Sequence, residues 1–113
     1  MDRKIKKYEH ILLDLLNEFA WERHATQTDM KSVVIADKEK HHYQVVQSGW
    51  YEGAFDYTIL FHFEIKPDGQ VWLYQNNTDI PIAEELARRG VPQSDIILGF
   101  IPNHRRAESE RVA

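Results

Sequence analysis

Apolar residues recur at three- and four-residue steps between Arg3 and Arg23, at Ile5, Tyr8, Leu12, Leu15, Leu16 and Phe19, with Lys4, Lys7, Asp14, Asn17 and Glu18 off that stripe. The spacing predicts one long amphipathic helix, capped by Asp2 and followed by a polar linker, Thr26-Gln27-Thr28-Asp29. The period then shortens to two. Strands are expected over Ser32–Asp37, from about His41 to Trp50, from about Ala54 to Lys66 and over Gln70–Gln75, with turns at Lys38-Glu39-Lys40, Tyr51-Glu52-Gly53 and Pro67-Asp68-Gly69. The third strand has the clearest alternation. Phe55, Tyr57, Ile59, Phe61, Phe63 and Ile65 are expected on one face, with Asp56, Thr58, His62, Glu64 and Lys66 on the other. A short helix follows from about Pro81 to Arg89, with Ile82, Ala83 and Leu86 inward and Gly90 as its stop. The apolar run Ile96–Ile101 is expected as a short strand or a buried extended segment. The fold class is therefore α+β: a long N-terminal helix on an antiparallel four-stranded meander, then a short helix and a C-terminal extended piece.

At 113 residues the chain makes one domain, spanning 1–113, with residues 103–113 as a polar, basic tail. Its 14 Lys and Arg stand against 18 Asp and Glu, a net charge of −4, which disfavours nucleic-acid binding by bulk charge. There is no cysteine, which excludes disulfides, thiolate nucleophiles and sulfur-ligated zinc and suits a reducing compartment. No stretch reaches the roughly 20 apolar residues of a spanning helix, and no signal peptide opens the chain, so a cytoplasmic protein without membrane contact is expected.

Candidate chemistry is sparse. His62 and Glu64 share one face of a strand at a spacing that can converge on an ion, but His41 and His42 are adjacent and point apart, leaving the set without a third ligand. Glu84 and Glu85 sit where a helix dipole favours negative charge without catalysis. Serines lack a nucleophile-elbow context, and the five glycines are dispersed rather than clustered as a phosphate loop. No catalytic residue, metal ligand or cofactor is assigned. What remains is aromatic surplus: Trp50, Trp72 and Tyr74, with Leu60, are expected to form an apolar patch on the sheet face away from the helix, as a partner-binding surface. The tail arginines Arg105, Arg106 and Arg111 are the candidate contacts to nucleic acid.

The order of signals resembles the XisI family, the fdxN-element excision controlling factors of cyanobacteria. It is carried by the charged first helix, Tyr43-Gln44-Val45-Val46 leading to Gly49-Trp50, Phe61-His62-Phe63-Glu64-Ile65-Lys66 and Asp68-Gly69-Gln70-Val71-Trp72. Ile82-Ala83-Glu84-Glu85-Leu86, Gly90-Val91-Pro92 and Asp95-Ile96-Ile97-Leu98-Gly99-Phe100 complete it, over nearly the whole chain. The chain departs from the family pattern at Asn76-Asn77-Thr78, where asparagine replaces a turn glycine, and past Pro102, where the family's aromatic gives way to Ser109-Glu110-Arg111-Val112-Ala113. The resemblance implies a non-catalytic accessory protein of programmed DNA excision in heterocyst development, acting beside an XisH-type companion and a separate recombinase. Association with itself or with that companion is expected through the sheet face near Trp50, Trp72 and Tyr74, with DNA reached indirectly. The alternatives are a DNA-binding factor using the arginine tail and a small metal-dependent enzyme using His62 and Glu64.

Overall fold

The computed structural model describes residues 2–102. Helix α1 runs over Asp2–Asn17, followed by strands β1 (Trp21–Ala25), β2 (Thr28–Asp37), β3 (His42–Tyr51), β4 (Ala54–Ile65) and β5 (Val71–Asn76). Helix α2 (Ile82–Arg88), one 3-10 turn (Gln93–Asp95) and strand β6 (Ile96–Leu98) close the chain. The class is α+β, but the sheet is not a four-stranded meander. It has six strands in the order β1-β2-β3-β4-β5-β6, antiparallel up to β5, with β6 parallel to β5. A parallel neighbour needs a crossover, and α2 supplies it.

The first helix is also shorter than its apolar stripe predicts. Glu18, Phe19 and Ala20 donate backbone N–H groups to Leu15, Leu16 and Asn17, three residues back, so the helix tightens and stops. The chain then turns into β1, whose residues are all exposed, and the expected linker contains a two-residue turn into β2.

Both helices lie on one face of the sheet. Tyr8, Leu12, Leu15 and Leu16 from α1 and Ile82, Ala83 and Leu86 from α2 bury against Tyr43, Val45, Phe61, Phe63, Ile65, Val71, Leu73, Ile96 and Leu98. The inward side of α2 and the strand character of Ile96–Leu98 agree with the sequence pattern. Tyr8 donates a 2.5 Å hydrogen bond to Asp95, which also pairs with Lys4 at 3.1 Å, fastening the start of α1 to the turn before β6. At the other end of α1, Arg89 reaches Glu18 at 2.6 and 2.9 Å.

Two register shifts decide what the other face carries. Val45 pairs with Phe61 but Val46 pairs with Ile59, so Leu60 is an extra residue in β4. Residues opposite one another in an antiparallel pair share a face. Phe61, Phe63 and Ile65 therefore face the helices with Val45, whereas Phe55, Tyr57 and Ile59 face away with Val46. The uniform alternation predicted for β4 is thus broken in the middle: Asp56 and Thr58 lie on the helix side with Gln47, opposite to His62 and Glu64. Leu60 packs against the core and is not part of the outer face. The second shift, between His62 and Phe63, makes Tyr74 the extra residue of β5.

Candidate interaction face

Among the described residues no helix covers the second face of the sheet, and the strand registers arrange it in rows. Asp29, Trp50 and Phe55 form the row at the hairpin end, followed by Lys31, Ser48 and Tyr57, then Val33, Val46 and Ile59. Beyond these come Ile35, Gln44, His62 and Gln75, and finally Asp37, His42, Glu64, Trp72 and Ile97. The face thus has an apolar half near the β3–β4 turn and a polar half over the helix-backed end.

The polar half is a closed network. Gln44 offers its amide N–H to His62 Nδ1 at 3.2 Å, which leaves the ring hydrogen of His62 on Nε2, 3.0 Å from His42 Nδ1. His42 then carries its own hydrogen on Nε2, 3.6 Å from a Glu64 carboxylate oxygen. The other Glu64 oxygen accepts from Tyr74 at 2.6 Å and pairs with Lys66 at 3.3 Å, while the Lys66 ammonium lies 5.1 Å from the Trp72 ring centre. Burial, followed by the charge of His42, holds His62 below the ordinary imidazole range. Burial by itself raises Glu64, but hydrogen bonds from Tyr74 and Lys66 outweigh it and the carboxyl ends lower than usual. Tyr74 is pushed up by burial and by Glu64. His42, His62, Glu64, Lys66 and Tyr74 are thus each engaged by a neighbour in the same half. Among the described residues, no three His, Asp or Glu side chains are disposed to hold a metal ion.

The apolar half is different. Trp50 and Phe55 meet edge to face at 5.3 Å yet remain 53% and 57% exposed, and Tyr57 is 66% exposed. Ile35 is 48% exposed on the same face. Gly49 lies beside this group with φ +135°, so tightly packed against the Asp29 carbonyl that no side chain fits.

The structure separates the residues expected to bind a partner. Trp50 belongs to the exposed apolar half, whereas Trp72 and Tyr74 are half-buried members of the polar half, 6.2 Å apart, with Gly99 closing over their rings. Tyr43, by contrast, is fully buried on the helix side and hydrogen-bonds Glu9. Phe55 and Tyr57 were missed because regular alternation assigned them to the core. The signal that marks them is three consecutive apolar residues, Ile59-Leu60-Phe61, a run that a regular strand with one wet face does not carry. Arg105, Arg106 and Arg111 lie outside the described residues. A shallow cleft of about 350 Å³ between α2 and β6, lined by Ala83, Glu84, Ala87, Arg88, Gln93, Ile96 and Leu98, brings together no histidine or nucleophile.

A helix-backed mixed sheet whose second face is covered by no helix among the described residues defines a small α+β protein. The profile of the XisI family, described as XisI protein, matches residues 1–111, and the chain belongs to that family. Its fold is similar to the crystal structure of a XisI-like protein from Anabaena variabilis, at 38% identity and a TM-score of 0.80, covering 94% of this chain and 95% of that one. It is also similar in fold to the fdxN element excision controlling factor XisI from Anabaena variabilis, at 24% identity and a TM-score of 0.72, over 95% and 96% of the two chains. No curated protein matches the sequence. No helix among the described residues is long and apolar enough to cross a membrane.

Proposed function

We propose that this chain is a non-catalytic accessory protein in the control of DNA element excision, and that it acts by binding other proteins through the helix-free face of its sheet. The observation that carries this reading is the contrast between the halves of that face. Its polar half ties His42, His62, Glu64, Lys66 and Tyr74 to one another, while its apolar half leaves Trp50, Phe55 and Tyr57 more than half exposed. Family membership and the excision-factor name of a fold relative supply the biological setting. An XisH-type companion protein is the partner that this setting suggests.

The experiment is co-expression of the full chain with the companion, one of the two carrying a tag. A stable complex that survives gel filtration at micromolar concentration, and that is lost in Trp50→Asp, is the expected result. Two independently eluting proteins refute the companion as partner. Retardation of DNA by the chain alone, weakening with salt at a log–log slope of about −2.7 for three phosphate contacts, would instead favour direct contact through Arg105, Arg106 and Arg111.

A further inference from the structure

We infer that the apolar half of the open face is the contact between two copies of this chain, stacked sheet on sheet about a two-fold axis that runs along β3. The inference rests on the protein-binding reading above and makes a second copy of this chain the direct occupant of the apolar half, the companion then engaging the dimer that Trp50→Asp would also dissolve.

Area is the first argument. Rings of roughly 150–250 Å² each, exposed by half to two-thirds at Trp50, Phe55 and Tyr57, together with Ile35, offer on the order of 400 Å² of apolar surface. A standard interface takes about 800 Å² from each partner, of which about 56–65% is apolar, so this half supplies nearly all of the apolar share and its polar neighbours the rest.

Self-complementarity is the second argument. Two open faces of one twisted sheet share the same hand of twist and can stack at about 10 Å with their strands nearly aligned. An axis along β3 lays β2 of one copy over β4 of the other. The register places Lys31 and Tyr57 in one row on either side of Ser48, so each Lys31 ammonium meets the Tyr57 ring of the second copy, twice by symmetry. The next row sets Val33 over Ile59, and the hairpin row sets Trp50 on its own copy at the axis. Asp29, the acid of that row, is already held by His24 at 2.6 Å and does not confront a second carboxylate. Ser48, small and central, leaves room where the copies come closest.

The bulge at Leu60 is the third argument. Without it, the phase of Phe61, Phe63 and Ile65 would carry Phe55, Tyr57 and Ile59 to the helix side. The irregularity puts three large apolar side chains where neither helix reaches, which a solitary domain has no use for and an interface does.

The test uses the full chain. Light scattering at about 50 µM is expected to give twice the 13.4 kDa monomer mass. Phe55→Asp and Lys31→Glu are each expected to weaken association, the first by about 100-fold or more as a large aromatic contact packed on Trp50, with circular dichroism unchanged. Because the chain has no cysteine, Ser48→Cys gives one thiol per copy. A bis-maleimide with an arm of about 10 Å should then cross-link it to a dimer, whereas Ser94→Cys in the 3-10 turn should stay uncoupled. A monomeric mass, a dimer indifferent to both substitutions, or equal cross-linking at the two positions overturns the inference. A monomer whose capture by the companion is lost in Phe55→Asp overturns the second copy while leaving the protein-binding reading intact. Loss of neither self-association nor capture in Phe55→Asp ends both.

Discussion

Replacing Gly49 with alanine would set a β-carbon 2.1 Å from the Asp29 carbonyl oxygen and 2.8 Å from the Met30 α-carbon. Both are backbone atoms of β2, paired with this stretch of β3, so neither can swing aside as a side-chain tip can. Gly49 also holds φ +135°, a region that an L-residue occupies at a penalty of about 1–3 kcal/mol. Gly53 provides the control, because it holds φ +85° with nothing within 4 Å of where an added β-carbon would sit. Gly53→Ala therefore isolates the conformational penalty, about 1–2 kcal/mol. Gly49→Ala adds the steric conflict and is expected to lose about 3 kcal/mol or more, a large share of the 5–15 kcal/mol typical of a domain. With a urea m-value of about 1.5 kcal/mol/M, the midpoint should fall by about 2 M for Gly49→Ala and by less than about 1.5 M for Gly53→Ala, at one fixed protein concentration. Amide exchange should quicken first at residues 28–31 and 48–51, the paired segments around the conflict. Equal midpoint shifts for the two variants, or exchange that quickens uniformly over the sheet, would refute the reasoning.

Tyr8→Phe should lose about 1.5–3 kcal/mol, because it removes a 2.5 Å bond to the ionised Asp95. Tyr8, itself raised to about 12 by burial and then by Asp95, is also the chief cause of the lowered Asp95 carboxyl. That carboxyl stabilises the fold above its ordinary value and ceases to do so as pH falls toward its folded value; the acid-side loss measured by urea titration should shrink in Tyr8→Phe. His62, held low, favours the native state above about pH 6.5 and progressively less as pH falls below it. Its NMR titration midpoint should lie below the ordinary one and move up in His42→Phe, which removes the neighbouring charge. Leu12→Ala, at a fully buried position, should lose about 2–5 kcal/mol in denaturant melts. Arg89→Ala, which removes the pairing with Glu18 and Glu85, should cost much less in the same melts than Leu12→Ala.

Local periodicity was enough to find the elements that bury a face. The stripe of α1 as far as Leu16, the extended character of β3 to β5 and the stop at Gly90 are each written locally, and the structure agrees with them, although not with the uninterrupted alternation expected of β4. Strand β1 escaped because Trp21-Glu22-Arg23-His24-Ala25 buries nothing; its pairing with residues 28–32 is its sole reason to be extended. The parallel placement of β6 escaped for a related cause, since three apolar residues do not announce which neighbour they join. The bulge escaped because the odd-numbered apolar positions run on unbroken through it, and only the three-residue run Ile59-Leu60-Phe61 betrays the inversion of phase. The candidate face was legible only in part: surplus rings were evident, but which of them stand free depended on two single-residue irregularities in pairing.

The bond between Tyr8 and Asp95 joins positions 87 residues apart, and β6 must pair with β5 before the floor under α1 is complete. During synthesis the hairpins can form as they leave the ribosome, but the leading helix has no finished surface to settle on until the last tenth of the described chain has emerged. Joining the ends of this chain and reopening it at the Lys38–Lys40 turn should advance that docking and speed refolding.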